Sequence, residues 1–185
     1  MDLCVIILTS DITKETKPPK VMPKVCFKIQ EKTMIEICLE NVVRLNPIKI
    51  ILMVSKYDIV YINKVIKYAP YSKLISYCIY DNVKYIENQK ISLTKHCYAE
   101  KNLLVVPGNS PLLTPKSMYK MVSENRNLKV NNFLFYLKKE NIDKIDNITE
   151  YSTRDEKFLN DYETLRIETR GEYEDILSYF KKKKL

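Results

Sequence analysis

Cysteine and histidine, which often bind metal ions, do not occur in this chain at the spacings typical of a metal site. The sequence has five cysteines and a single histidine, and no two cysteines form a CxxC pair. An odd number of cysteines without metal-ligand spacing indicates buried free thiols in a reducing compartment rather than a zinc site. Four of the five lie in apolar segments, which is where buried thiols are found. The cysteines are Cys4, Cys26, Cys38, Cys78 and Cys97.

Glycine is nearly absent from the chain, and this restricts the kind of phosphate site that it can form. Only Gly108 and Gly171 occur among 185 residues. Loops that bind phosphate groups use glycine because backbone N–H groups must approach the anion closely. A nucleotide site in this chain must therefore work without a glycine-rich loop.

The net charge of +8 would favour a polyanion such as nucleic acid if the basic side chains formed one surface. The lysines are instead scattered, apart from a run at residues 181–184 that we expect to fray into solvent. We therefore do not expect nucleic-acid binding to be the main role, and we keep polyanion binding as a further alternative. No apolar run approaches the roughly 20 residues that cross a bilayer, and the start lacks the basic region of a secretory signal. We expect a soluble, cytoplasmic protein without a membrane partner.

Apolar runs alternate with segments of helical periodicity. Short runs rich in β-branched residues are typical of strands buried on both faces of a parallel sheet. Between them, Thr33 and Glu36 fit a capping box at the start of an amphipathic helix. We predict strands at residues 3–8, 48–54, 74–79, 83–86, 102–106, 132–137 and 165–167. We predict helices at residues 34–45, at 58–69 with Val60 or Tyr61, Val65 and Tyr68 inward, from Pro115 onward, and at 172–180.

Strands that alternate with helices imply an α/β fold, here a three-layer Rossmann-like domain with a mostly parallel central sheet. We expect one domain over residues 1–180, followed by a basic tail at 181–185. In such folds ligands bind outside the carboxyl ends of the strands. The segments 9–24 and 108–109 each follow a predicted strand, so we expect them to meet at that edge.

Three segments are similar to one known family. They are PKVCFKIQEKTMIE at residues 23–36, ENQKISLTKHC at 87–97 and NLLVVPGNSPLLT at 102–114. They resemble the sugar-phosphate nucleotidyltransferases, and most closely the bacterial N-acetylglucosamine-1-phosphate uridylyltransferases. The closing stretch 167–173 is similar to that of small single-domain members such as the molybdenum-cofactor guanylyltransferases.

The resemblance implies the transfer of a nucleotidyl group from a nucleoside triphosphate to a sugar 1-phosphate, with Mg²⁺ as the cofactor and pyrophosphate as the leaving group. It implies that Lys24 is the catalytic, phosphate-contacting residue and that Asn109 stands at the metal ligand. An ordinary solvated lysine and an ordinary turn asparagine remain the alternatives for these two positions. The implied nucleotide-binding residues are Leu8, Thr9, Ser10, Lys14, Asn88 and Thr94.

The signature motifs of the family are degenerate in this chain. The family's LAAGxGTRM loop reads LTSDITKET at residues 8–16, so both glycines are lost and Asp11 would repel a triphosphate. The metal-binding aspartate is replaced by Asn109, which lacks the charge that holds a hard cation.

Several separate losses favour a protein that has kept the fold and lost the chemistry. Our leading hypothesis is a binding or scaffold subunit, with a protein partner, an oligomer, or a weakly bound nucleotide or nucleotide-sugar as its ligand and no cofactor. The alternative is an active nucleotidyltransferase that requires Mg²⁺.

Overall fold

The computed structural model describes residues 2–9, 22–80, 101–124, 126–131, 133–142, 153–155 and 158–183. Its strands are β1 Leu3–Leu8, β2 Lys28–Ile29, β3 Lys32–Thr33, β4 Lys49–Ser55, β5 Ile75–Tyr80, β6 Asn102–Pro107, β7 Leu128–Lys129, β8 Phe135–Leu137 and β9 Thr153–Arg154. Its helices are α1 Met34–Val43, α2 Ile59–Ile66, α3 Pro115–Ser123, α4 Asp161–Thr164 and α5 Arg170–Lys183. Short 3₁₀ turns occupy Lys24–Cys26 and Ser72–Leu74.

The described strands form a seven-stranded sheet in the order β5-β4-β1-β6-β8-β7-β9, with β2 and β3 as a separate small hairpin. The four strands β5, β4, β1 and β6 are parallel to one another. The antiparallel strand β8 follows on the other side of β6, and β7 and β9 complete the sheet. The fold is therefore α/β with a mostly parallel central sheet, as the alternation of elements predicts.

The central strand β1 is buried over its whole length. Leu3, Val5 and Ile7 join the larger core cluster, which includes residues of α1, α2 and α3. Cys4, Ile6 and Leu8 join a second cluster on the opposite face of the sheet. Because side chains alternate between the faces of a strand, an unbroken apolar run is what a strand covered on both sides requires.

Helix α1 begins with the predicted capping box. The Thr33 hydroxyl accepts a hydrogen bond from the Glu36 N–H, and the Glu36 carboxylate accepts one from the Thr33 N–H. The helix ends at Val43, slightly before the predicted residue 45. Asn46 then takes a φ of 56°, a left-handed conformation that asparagine tolerates at a helix end.

The predicted inner face of the second helix is wrong in part. The buried residues of α2 are Ile62 and Ile66, which lie one helical turn apart. Val60 is exposed, and Tyr68 lies beyond the end of the helix and is 84% exposed. Tyr61 and Val65 do pack against the core.

Two predicted strands near the carboxyl terminus differ from the structure. The strand predicted at 132–137 is shorter and runs antiparallel to β6. Residues 165–167 form no strand. The Ile167 N–H donates a hydrogen bond of 3.0 Å to the main-chain oxygen of Asn109. Because Asn109 lies in a turn after β6, no second strand is present there to extend the pairing. The strand predicted at 83–86 lies outside the described residues.

Three of the predicted free thiols, those of Cys4, Cys26 and Cys38, are buried, and Cys78 is half-buried. Burial raises the pKa of the Cys38 thiol to about 12. Helix α5 continues through Lys183, so Lys181 and Lys182 lie within it as exposed helical residues. Among the residues that the structure describes, no helix is both long and apolar enough to cross a membrane.

Candidate functional site

The candidate site lies where β1 and β6 end side by side. The Gly108 N–H donates to the main-chain oxygen of Leu8 at 2.8 Å. A β-carbon at Gly108 would lie 3.1 Å from that oxygen and 3.2 Å from the Ile7 side chain. Glycine at this position therefore allows close packing of two backbone segments and does not serve a left-handed turn.

Thr9, one of the residues implied for nucleotide binding, is bound to its own sheet. Its hydroxyl donates to the main-chain oxygen of Met53 at 2.7 Å, and the side chain is buried. Leu8 is also buried, at the last position of β1. Both residues lie at the predicted edge of the sheet, and the Thr9 hydroxyl is already hydrogen-bonded to β4. Ser10, Lys14, Asn88 and Thr94 lie outside the described residues.

Asn109 is buried rather than exposed in an ordinary turn. Its amide nitrogen donates to the main-chain oxygen of Ile167 at 3.1 Å and to a carboxylate oxygen of Glu168 at 3.4 Å. Its side-chain oxygen accepts a hydrogen bond from Nε of Arg166 at 3.3 Å. Both ends of the amide are therefore engaged by the segment 166–168.

Lys24 contacts the same segment through Glu168. It lies in the 3₁₀ turn that follows Pro23. Its Nζ donates to the main-chain oxygen of Glu168 at 2.6 Å and lies 3.2 Å from the carboxylate oxygen Oε2 of Glu168. The two residues that the resemblance singles out, Lys24 and Asn109, are thus brought together by Glu168.

Arg166 provides a second positive charge beside Glu168. Its Nη2 lies 2.9 Å from the carboxylate oxygen Oε1 of Glu168, and its side chain is only 13% exposed. The guanidinium carbon lies 3.5 Å from the centre of the Phe133 ring, so the guanidinium stacks on that ring. Arg166 is therefore held by a carboxylate, an amide oxygen and an aromatic face.

Glu172 contributes a second negative charge. Its carboxylate accepts hydrogen bonds from the N–H groups of Glu168 at 2.8 Å and Thr169 at 2.7 Å, and from the Thr169 hydroxyl at 3.0 Å. Desolvation opposes ionisation of Glu172, but these bonds and the charge of Lys24 hold its pKa below the ordinary value. We call Lys24, Asn109, Arg166, Glu168 and Glu172 the Glu168 cluster; its two cations are balanced by its two carboxylates.

The sequence interpretation did not assign a role to Arg166 or Glu168. Lys24 and Glu168 are 144 residues apart, so no local spacing connects them. The available signal was the closing stretch 167–173, whose similarity to small nucleotidyltransferases was noted without being used to place this segment at the site.

The residues of the Glu168 cluster do not fit a magnesium ion. Mg²⁺ takes oxygen ligands, usually carboxylates and water, in a strict octahedral arrangement. Here the Asn109 oxygen accepts from Arg166, and the Glu168 carboxylate is flanked by Arg166 and Lys24. Within the described ranges, no group of three His, Cys, Asp or Glu side chains could hold a metal ion.

Ser110, which follows Asn109, carries an unsatisfied hydroxyl. The residue is buried, and its Oγ has no hydrogen-bond partner among the described residues. Leaving a hydroxyl buried and unpaired costs about 1–3 kcal/mol. The loop after β6 is therefore not optimised for stability at this position.

No protein-family model matches the sequence, and no curated protein matches it. Solved structures do match. A nucleotidyl transferase from Methanothermobacter thermautotrophicus has a TM-score of 0.74 at 8% identity, over 98% of this chain and 99% of that one. A 4-diphosphocytidyl-2C-methyl-D-erythritol synthase from Anaerococcus prevotii has a TM-score of 0.68 at 14% identity, over 97% of this chain and 96% of that one.

A third structure is that of Rv0371c from Mycobacterium tuberculosis, solved as a complex with manganese. It has a TM-score of 0.67 at 8% identity and covers 96% of this chain and 99% of that one. These identities establish similarity of fold alone. The chain has the mixed α/β fold seen in nucleotidyltransferases.

Proposed function

We propose that this chain is a nucleotidyltransferase-like protein that no longer transfers nucleotidyl groups and acts in the cytoplasm as a binding or scaffold subunit. The observation that carries the proposal is the pairing of Lys24 with Glu168, through the main-chain oxygen at 2.6 Å and the carboxylate at 3.2 Å. The ammonium that would contact phosphate is bound to the protein's own anion.

Phosphoryl and nucleotidyl transfer depend mainly on positioning and on neutralising charge at the phosphates. In the Glu168 cluster the charges of Lys24 and Arg166 are already compensated by Glu168 and Glu172. A phosphate group would have to displace a carboxylate that is attached to the same chain and loses little entropy on binding. The cluster therefore favours a closed, neutral site over one ready for a triphosphate.

The motifs quoted above support an origin among the sugar-phosphate nucleotidyltransferases, with the N-acetylglucosamine-1-phosphate uridylyltransferases as the most similar members. The losses in those motifs support a degenerate descendant. The loop at residues 8–16 has no glycine, and residue 109 is an amide in place of the family's aspartate. In the structure that amide makes hydrogen bonds within the fold.

Exposed apolar side chains around α2 and β5 support a protein partner. Nine large apolar residues are exposed in the described part of the chain, and five of these lie between residues 57 and 79. Exposed apolar side chains that form one patch are typical of protein contacts, and we propose these five residues as candidates for such a patch. The five residues are Tyr57, Val60, Tyr68, Tyr77 and Ile79.

One observation favours an active nucleotidyltransferase as the second candidate. A carboxylate oxygen of Glu168 lies 3.4 Å from the side-chain nitrogen of Asn109. The negative charge that is absent at residue 109 is thus present on the adjoining segment. Activity of this kind would require Lys24 to exchange Glu168 for a substrate phosphate.

A pyrophosphate-release assay separates the two candidates. The wild-type chain is incubated with each ribonucleoside triphosphate and a panel of sugar 1-phosphates, with Mg²⁺, with Mn²⁺ and with EDTA. We expect the rate to equal that of Lys24→Ala under every condition, and the same assay on the exposed Lys28→Ala to show no difference. Release that requires the metal, persists in Lys28→Ala and disappears in Lys24→Ala would establish the active enzyme instead.

A further inference from the structure

We infer that the guanidinium of Arg166 occupies the position of a divalent cation, so that the site works without metal. This inference deepens the proposed function, on which it rests for the claim that the site binds rather than transfers. It also explains why the side-chain oxygens of the Glu168 cluster do not fit Mg²⁺ as a ligand set.

The guanidinium lies between the two side-chain oxygens that could bind a cation from the loop after β6 and the segment 166–168. Nε of Arg166 is 3.3 Å from the Asn109 side-chain oxygen, and Nη2 is 2.9 Å from Oε1 of Glu168. A guanidinium carries a permanent charge and several N–H donors in a fixed plane, which suits two oxygens on different segments.

The position of this guanidinium is defined from more than one side. It stacks on Phe133, with 3.5 Å between the guanidinium carbon and the ring centre, and its side chain is largely buried. A stacked, paired arginine has lost most of its conformational freedom on folding, so it does not have to be ordered again when a ligand arrives.

The amide at residue 109 suits this resident cation better than a carboxylate would. An amide accepts from Arg166 with its oxygen and donates with its nitrogen to Ile167 and Glu168. An aspartate would lose both donated bonds and would place a second negative charge about 3–4 Å from Glu168, where like charges repel strongly. Asn109 is therefore complementary to a guanidinium rather than to a metal ion.

A metal ion would meet strong competition at the same oxygens. Lys24 lies 3.2 Å from the other carboxylate oxygen of Glu168, so each oxygen of that carboxylate already has a cationic neighbour. A divalent ion would have to displace Arg166 and enter beside Lys24 against their positive charge. Ligands that reach this site would thus bind independently of divalent cations.

Mn²⁺ titration of the full chain tests the inference, with calorimetry and NMR of ¹⁵N-labelled protein as readouts. For the wild type we expect no binding tighter than about 1 mM and no paramagnetic broadening of the Asn109 side-chain amide. In Arg166→Met, we expect Mn²⁺ affinity at least about tenfold higher, and its loss again when Glu168→Gln is added.

Broadening of the Asn109 amide in the wild-type protein, or an Arg166→Met variant that folds without gaining Mn²⁺ affinity, would overturn the inference. The wild-type NMR measurement decides the matter if Arg166→Met does not fold. Failure of the proposed function and failure of this inference give different results. Turnover that persists in EDTA would contradict the proposed function alone. Binding of Mn²⁺ at Asn109 without turnover would contradict only the metal-free site.

Discussion

Nζ of Lys24 lies within hydrogen-bond distance of two different oxygens of Glu168, one on the main chain at 2.6 Å and one on the carboxylate at 3.2 Å. The two side chains are only 22% and 35% exposed. Through this contact the turn at the start of the small β2–β3 hairpin is joined to the segment that leads into α5. Lys24 thus has a structural role in the closed site.

A double-mutant cycle measures the strength of that contact. For Lys24→Met and Glu168→Gln we expect a coupling free energy of about 1–2 kcal/mol from chemical denaturation, because the ion pair between the two side chains is half-buried. The exposed pair Arg170 and Glu174 is the control, and its coupling should not exceed about 0.5 kcal/mol. Equal coupling in the two pairs would show that Lys24 is simply another solvated lysine.

The two glycines should respond oppositely to alanine. Gly108→Ala should lower the free energy of unfolding by about 1–3 kcal/mol, since its β-carbon would lie 3.1 Å from the Leu8 oxygen. At Gly171, in the first turn of α5, the nearest atom would be 4.0 Å away, so alanine should stabilise the helix by about 0.5 kcal/mol. Thermal denaturation of the two variants checks both signs; a neutral Gly108→Ala would contradict the close approach of β1 and the loop.

Two buried serines form a second matched pair. Ser110→Ala removes an unpaired hydroxyl and should raise the free energy of unfolding by up to about 1 kcal/mol. Ser117→Ala removes a hydroxyl that is bonded to Thr114 at 2.7 Å and to Glu163, and should lower it by about 1 kcal/mol. Urea denaturation provides the comparison. A destabilised Ser110→Ala would mean that its hydroxyl is bonded in solution.

Glu172 should make folding sensitive to acid. Its pKa in the folded chain is below the ordinary value of 4.5, so its stabilising contribution is complete above pH 4.5 and is lost as the pH falls through the folded pKa. We expect the Tm of the wild type to fall more steeply than that of Glu172→Gln below pH 4.5. Parallel Tm profiles of the two proteins would contradict the hydrogen bonding assigned to the Glu172 carboxylate.

The central sheet could be predicted from sequence because its signal is local. Runs such as residues 3–8 and 103–106 are apolar without interruption, and only strands covered on both faces require that pattern. The start of α1 could also be predicted, since Thr33 and Glu36 form their capping box within four residues of sequence. The inner face of α2 could not be predicted, because Val60 is as apolar as its buried neighbours and only tertiary packing distinguishes them.

The candidate site was predictable only in part. Lys24 and Asn109 were found through their resemblance to known motifs, and the parallel pairing of β1 with β6 explains why these two strands end side by side. Their partners Arg166 and Glu168 lie in a segment that has no regular secondary structure. A contact between residues more than a hundred positions apart leaves no signal in local composition. The pairing of Lys24 with Glu168 could therefore be identified only from the three-dimensional structure.

A crystal structure of the chain grown with Mg²⁺ and a saturating non-hydrolysable nucleoside triphosphate would show directly where the Lys24 ammonium lies. We predict that Nζ remains within hydrogen-bond distance of Glu168, that Arg166 stays against Asn109, and that no metal density appears beside that amide. Nζ of Lys24 bound to a nucleotide phosphate, with Mg²⁺ seated between Asn109 and Glu168, would contradict the closed site and favour an active enzyme.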